Sequence, residues 1–332
     1  MSFEAFLGNA TAKEQLSAFV AEGRFPHAIL LEGPVGCGKK TLAKQLAMAA
    51  ICEGSLLSED KPCGTCAHCI KSTAGAHPDI QIVTDPQDKK TYRVDAIREM
   101  REKALMVPNE ADKRVMLLFD AQNLNPSSQN ALLRILEDPP THLLFILTCE
   151  NRSQLLSTIQ SRVITISLSG VSAAEAIPYL KEQFPDISEE ELTAALTMFD
   201  GCIGQVLETM KEGELSKVQE LIVKGADALA KPEEIHLLRW TAELEKEKDF
   251  IDGVLNGLRL VIRDALTLGA GGQTQLSSAK EQAKKLSRQY TGKQLMAAME
   301  AIEYLQVARS RNMNLTLFLT LLCGKLRSSL GA

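Results

Sequence analysis

The sequence predicts an α/β fold built on a parallel sheet, a nucleotide-binding core that carries a cysteine-rich insert and is followed by helices alone. Three observations predict it. The apolar run Ala28-Ile29-Leu30-Leu31 leads straight into a glycine loop, Gly33-Pro34-Val35-Gly36-Cys37-Gly38-Lys39-Lys40-Thr41. Cys52, Cys63, Cys66 and Cys69 follow shortly after that loop, and strand-like signals end at Ser169-Gly170. On this reading residues 1–169 form a nucleotide-binding-like domain with a metal module at 52–69, residues 170–208 a small helical lid, and residues 209–332 a helical bundle.

Size and composition bound the class. A chain of 332 residues exceeds what one core usually organises, so two or three domains are expected. With 37 basic against 42 acidic residues the net charge is −5, which argues against nucleic-acid binding by bulk charge, and any DNA contact is expected to be local. No segment is apolar for the length of a membrane span, and Met1-Ser2-Phe3-Glu4 lacks the basic start of a signal peptide. A cytoplasmic, reducing location is the expectation, and there cysteines serve metals more often than disulfides.

In the phosphate loop, backbone N–H groups and the N-terminus of the helix that follows cradle phosphates while Lys39 reaches the outer ones. Lys40 to Ala50 reads as that helix, with Leu42, Leu46 and Ala49 on one face. Where the motif calls for Ser or Thr to hold Mg²⁺, this chain has Lys40, and Thr41 comes one residue late on another helical face. ATP or ADP is therefore the expected ligand class, with metal binding in question. A vestigial strand–helix turn whose glycines serve packing is the competing account.

Cys63-x2-Cys66-x2-Cys69 brings three thiols into one tight loop, and Cys52 supplies a fourth corner. Four thiolates favour a closed, tetrahedral, structural zinc site. An iron–sulfur cluster is the alternative metal, though here the fourth cysteine lies upstream of the triplet rather than in a short run with proline. His68 and His77 are read as surface or outer-shell residues.

The segment Lys89-Lys90-Thr91-Tyr92-Arg93 through Arg98, Arg101 and Lys103 is locally basic and leads into a helix with Val94, Ile97 and Leu105 directed inward. A solvated face and a contact with DNA phosphates are its two readings. Val115-Met116-Leu117-Leu118-Phe119-Asp120 reads as a buried strand ending in an acid placed to approach Mg²⁺. The next residue is Ala121, where hydrolytic members of this class carry a Glu that orients the attacking water. Leu143 to Leu147 is a further buried strand, ending in Thr148. Thr148 joins Gly33, Gly36, Gly38, Lys39, Lys40, Thr41 and Asp120 as a candidate nucleotide-contacting residue. Ser161-Arg162 is a weak signal alone.

The whole order is more specific: Phe6-Leu7-Gly8-Asn9, the phosphate loop, the cysteine insert, Pro78-Asp79, Asp120 with Asn123-Leu124-Asn125, Asn130-Ala131-Leu132-Leu133-Arg134-Ile135-Leu136-Glu137-Asp138-Pro139-Pro140, and Ser161-Arg162. Over roughly residues 1–205 this order resembles the clamp-loader subunits of the bacterial DNA polymerase III holoenzyme, members of the AAA+ class. The resemblance implies a hetero-pentameric ring in which gamma/tau-like ATPase subunits and a clamp-opening delta-like subunit load a sliding clamp onto primed DNA. It implies that Arg162 is an arginine finger, catalytic in trans for ATP on a neighbouring subunit. It also implies that Lys40, Ala121 and Gly204 mark a non-motor member with little ATPase turnover, since the motors carry an Arg where Gly204 stands. An active gamma/tau-like motor is the alternative.

Beyond residue 170 the chain reads as helices, Ala173 to Phe184, Glu189 to Phe199 and longer amphipathic segments through Leu330. The resemblance makes the last of these a collar for ring assembly. The segment Asn312 to Leu322 is apolar nearly all round, which predicts burial against helices or subunits.

Overall fold

Five strands are needed to account for the sheet, and two of them are too short for periodicity to reveal. The computed structural model describes residues 3–54, 61–84, 92–211, 213–273, 276–277, 279–309 and 313–331. They fall into two units, Met1–Ser172 and Ala173–Ala332.

In the first unit α1 (Ala10–Glu22) precedes β1 (Ala28–Glu32), and the glycine loop then opens α2 (Lys39–Ala50). The cysteine insert contributes α3 (Ala67–Thr73) and returns the chain to β2 (Ile80–Ile82). After these come α4 (Val94–Leu105), β3 (Arg114–Leu118), α5 (Pro126–Glu137), β4 (Leu143–Cys149), α6 (Ser157–Gln160) and β5 (Ile164–Ser167). The strands are parallel in the order β2-β3-β4-β1-β5. This is the α/β architecture expected of an AAA+ core. The three central strands are covered on both faces, so they are apolar without alternation, whereas β2 and β5 lie at the edges and are partly exposed. Because all strands run one way, the residues that follow β1, β3 and β4 gather along a single edge of the sheet.

Helix faces follow the 3.6-residue period. Leu42, Leu46 and Ala49 of α2 are buried as expected. In α4 the inward face is Ile97, Met100 and Ala104, while Leu105 is 55% exposed. Eight residues beyond Ile97, Leu105 has turned about 80° off that face, which corrects the expectation that it points inward. Lys89, Lys90 and Thr91 lie outside the described residues.

Pro78-Asp79 does structural work. Asp79 is fully buried and accepts hydrogen bonds from the backbone N–H groups of Asn109 (2.6 Å), Glu110 (2.8 Å) and Ala111 (3.0 Å), with Arg114 Nη2 at 3.5 Å. Burial alone raises its pKa, but these donors and the Arg114 charge outweigh burial and hold it below the ordinary carboxylate range. Asp79→Asn leaves Arg114 without its charge partner, and we expect a loss of about 3 kcal/mol, measured by denaturant unfolding. A carboxylate with a lowered folded pKa stabilises fully above its unfolded value, near ~3.9, and ceases to do so as pH falls through the folded value. The stabilities of parent and variant therefore converge in acid.

The second unit is helical throughout its described residues: α7 (Ala173–Gln183), α8 (Glu189–Met198), α9 (Ile203–Lys211), α10 (Leu215–Leu229), α11 (Glu234–Leu244), α12 (Ile251–Gly269), α13 (Lys280–Gln289), α14 (Gly292–Arg309) and α15 (Leu315–Leu330). Helix α15 buries Phe318, Leu322 and Leu326 against this unit but leaves Leu317 and Leu321 exposed, so burial within the chain is confined to one face. Asn312, where the last helix was expected to begin, lies outside the described residues.

Candidate functional site

The glycine loop joins the end of β1 to α2 and is tightly packed. A Cβ on Gly33 would lie 2.5 Å from the Leu168 carbonyl oxygen, and one on Gly38, at φ +92°, would lie 2.7 Å from the Phe6 ring. Neither position accepts a larger residue without the backbone moving. Gly36 also has a positive φ, 78°. Lys39 is buried, and its Nζ donates to the carbonyls of Gly33 (2.6 Å) and Pro34 (2.7 Å). The lysine thus satisfies its own loop, and an entering phosphate must draw it away from those carbonyls.

Lys40 stands at the first turn of α2 and directs its Nζ to Asp120 Oδ2 at 2.5 Å. The two residues that in the motif would approach Mg²⁺ from opposite sides are here joined to each other. Both side chains are partly exposed, so the pair adds little stability. Its consequence is chemical: the Asp120 carboxylate already faces an ammonium of its own chain. Thr41 is exposed on the outer side of α2 and takes no part in this pair.

Asp120 has φ 53°, a strained conformation for a residue with a side chain, and its N–H donates to Thr148 Oγ1 at 2.9 Å. Thr148, fully buried in β4, thereby fixes the turn that carries the acid. Tyr92 braces the same turn by donating to the Phe119 carbonyl at 2.7 Å; burial, with the Asp120 charge, pushes its pKa up to about 12. Ala121 is fully buried and offers no group to position water. Gly204 is the second residue of α9 and likewise carries no cation.

Arg162 lies just before β5, at the N-terminal ends of the strands, whereas the glycine loop follows the C-terminal end of β1. It therefore faces away from its own loop. Its guanidinium donates to the Thr158 carbonyl (2.9 Å) and pairs with Glu137 Oε1 (3.0 Å) beside an open cavity.

Gln129, which sequence reading did not single out, is buried and ties three segments together. Its Nε2 donates to the Leu124 and Gln154 carbonyls (3.1 and 3.5 Å), and its Oε1 accepts the Leu156 N–H (2.8 Å). It thus connects the segment after Asp120 with the one leading to Arg162. Only its place between the quoted Asn123–Asn125 and Asn130–Pro140 strings could have drawn notice.

The four cysteines converge. Cys52 and Cys66 sulfurs are 3.9 Å apart, as are those of Cys63 and Cys69, and all four lie within 4.8 Å of one another. A tetrahedron of sulfurs about 2.3 Å from zinc has edges of about 3.8 Å. Backbone N–H groups of Gly54 and Cys63 point at Cys52, that of Cys66 at Cys63, and that of Cys69 at Cys66, at 3.3 to 3.4 Å. Such donors stabilise thiolates; despite burial, the N–H groups of Thr65 and Cys66 bring Cys63 down to about 6. The donor set, spacing and N–H bonds fit a structural zinc ion.

His68 and His77 are buried, which corrects the surface reading, and they form a chain. The Asp79 N–H donates to His77 Nδ1 (3.0 Å), His77 Nε2 meets His68 Nδ1 (2.8 Å), and His68 Nε2 meets Glu53 Oε1 (3.1 Å). The first bond makes His77 Nδ1 the acceptor, so the proton of neutral His77 sits on Nε2 and each ring in turn donates toward Glu53. Burial and the neighbouring His68 lower the His77 pKa, in keeping with a neutral ring. Glu53 and His68 adjoin Cys52 and Cys69 in sequence, so this chain anchors the insert to the start of β2.

The match to a protein family model lies in the first unit. A family model described as "DNA polymerase III, delta subunit" matches residues 8–172. DNA polymerase III subunit delta' of Pseudomonas aeruginosa is 32% identical over 175 residues, 53% of this chain and 53% of that protein. DNA polymerase III subunit gamma/tau of Mycobacterium tuberculosis is 35% identical over 162 residues, 48% of this chain and 27% of that protein. The match thus spans about half the length of the first relative and about a quarter of the second. Among solved structures, a gamma subunit-related protein of DNA polymerase III from Thermotoga maritima aligns over 95% of this chain and 99% of its own, with TM-score 0.44 and 18% identity.

Proposed function

Through residues 8–172 the chain belongs to the DNA polymerase III delta-subunit family, and from that membership we propose that it is a delta'-type clamp-loader subunit that does not itself hydrolyse ATP. The observation that carries the non-motor reading is the Lys40–Asp120 ion pair at 2.5 Å. Phosphoryl transfer to water relies on a cation bridging the outer phosphates and on a residue that orients the nucleophile. Here the cation position is taken by Lys40, and Ala121 supplies no base. Loss of base assistance alone removes a factor of about 10²–10⁴. Gly33 to Thr41 keep the backbone cradle, so ADP or ATP bound without turnover is compatible with the loop.

In the ring, Arg162 acts in trans. Its position at the strand ends opposite the glycine loop supports a role at a neighbour's nucleotide and not at its own. The partners are gamma/tau-like ATPase subunits and a delta-like clamp-opening subunit, and the ring acts on the sliding clamp and primed DNA. Zinc in the Cys52, Cys63, Cys66 and Cys69 site is structural. Residues 170–208 are the lid and 209–332 the collar, and the exposed Leu317 and Leu321 are suited to subunit packing.

Native mass spectrometry of the complex recovered on a tagged copy of this chain tests the assignment. One copy beside several ATPase chains is expected. Several copies per ring make the chain a gamma/tau-like motor and overturn the reading of Lys40, Ala121 and Gly204.

A further inference from the structure

Arg162 does not hang free at the strand ends. Its Nη1 donates to the Thr158 carbonyl (2.9 Å) and to Ser161 Oγ (3.3 Å), while its Nη2 meets Glu137 Oε1 at 3.0 Å. Nε has no hydrogen-bond partner among the described residues. A guanidinium presents five N–H donors, so some remain for a further acceptor. They do so beside the open cavity, of about 670 Å³, that Glu137, Ser161 and Arg162 help to line.

The frame around the guanidinium is anchored in the core. Glu137 ends α5 directly after Leu136, and Thr158 precedes Ile159 in α6. Leu136 and Ile159 are buried in one hydrophobic cluster, so both acceptors are set by core neighbours on helices. Glu137 gains nothing from its own helix, because a carboxylate at a helix C-terminus opposes the macrodipole. Among the described residues it pairs with Arg162 and not with Arg134, which is exposed three residues earlier on the same helix.

We propose that Glu137 is a positioning residue for Arg162: its carboxylate holds the guanidinium in the orientation from which the unclaimed donors reach a phosphate on a neighbouring subunit. This rests on the reading of Arg162 as acting in trans. Ordering a free arginine side chain costs rotamer entropy, and Glu137, Thr158 and Ser161 together meet that cost before the subunits meet. Both partners are partly exposed, so the pair does little for folding. Its effect falls on the geometry of the chemical step, where a small misplacement of a reacting group is costly.

The test is single-turnover ATP hydrolysis at saturating ATP by assembled rings of matched composition, made with Glu137→Ala, Glu137→Gln and Glu137→Asp. Glu137 is exposed, so all three variants should fold and enter the ring. Alanine is expected to slow the rate about tenfold while the ATP concentration for half-maximal rate stays unchanged. Glutamine keeps an acceptor oxygen at the same reach and should return the rate to within about threefold of the parent. Aspartate keeps the charge but draws the oxygens back by one methylene, and should be as slow as alanine. In an Arg162→Ala ring, adding Glu137→Ala should change nothing further, as required of a residue that acts through Arg162. The proposal is overturned if Glu137→Ala leaves the rate unchanged while Arg162→Ala lowers it, and the finger reading then stands alone. It is overturned also if alanine and glutamine both raise the rate, which makes Glu137 a restraint on the finger, or if glutamine is as slow as alanine. An unchanged rate in Arg162→Ala itself removes the finger reading and this proposal with it, so the two failures are told apart.

Discussion

Single-turnover ATP hydrolysis at the neighbouring site is expected to fall by a factor on the order of 10³ or more when Arg162 is replaced by alanine in the assembled loader. A finger guanidinium stabilises charge that develops on the transferring phosphoryl group, so its loss appears in the chemical step. Folding should be spared. The side chain is partly exposed, and its pairing with Glu137 at 3.0 Å is a surface ion pair, worth about 0–1 kcal/mol. Arg162→Lys should not rescue the rate, because a point charge on a flexible stem does not reproduce the planar fork. Rapid-quench measurement of rings with matched subunit composition decides it. Unchanged turnover in the alanine variant removes the finger assignment.

The next largest effect is expected from Cys66→Ser. Cys66 is both a candidate ligand and the N-cap of α3, accepting the Cys69 N–H through its sulfur at 3.4 Å, so the change strikes the metal site and the helix start together. Structural zinc contributes folding free energy directly, about 10–16 kcal/mol in isolated zinc-finger peptides. The insert is therefore expected to lose its zinc and to become open to proteolysis between Cys52 and His77. The sheet should persist, since the fully buried Leu30, Leu118 and Phe145 owe nothing to the metal. Metal analysis and limited proteolysis check both halves. A zinc-free parent protein would end the claim, and iron with visible absorbance would assign the cluster alternative.

Much of the candidate site was legible before any coordinates. The glycine loop, Asp120 and the cysteine quartet are local or ordered patterns whose residue types carry their chemistry, and the structure sets Asp120 beside the first turn of α2 and the four sulfurs within 4.8 Å of one another. The departures at Lys40 and Ala121 were equally plain. What could not be read was how the departures answer one another. Lys40 and Asp120 are 80 residues apart in sequence, and their meeting depends on the parallel order that sets β4 between β1 and β3. For the same reason Gln129 and the His77–His68–Glu53 chain were missed or misplaced. A buried polar residue is recognised by its partners, and those partners come from other elements.

By itself the sequence determined the element types of the central sheet, the face of α2 that enters the core, the four cysteines that converge and the family match over residues 8–172, because each rests on periodicity, spacing or order along one chain. Tertiary structure alone decided that β2 is an edge strand, that Leu105 faces outward, that Lys39 closes on its own loop, and that the cysteine insert walls a cavity with α2. The physical reason is that burial and pairing are properties of neighbours in space. A strand of three residues has no period to read, and a lysine acquires its role only from the carbonyls or the carboxylate that the fold sets beside it.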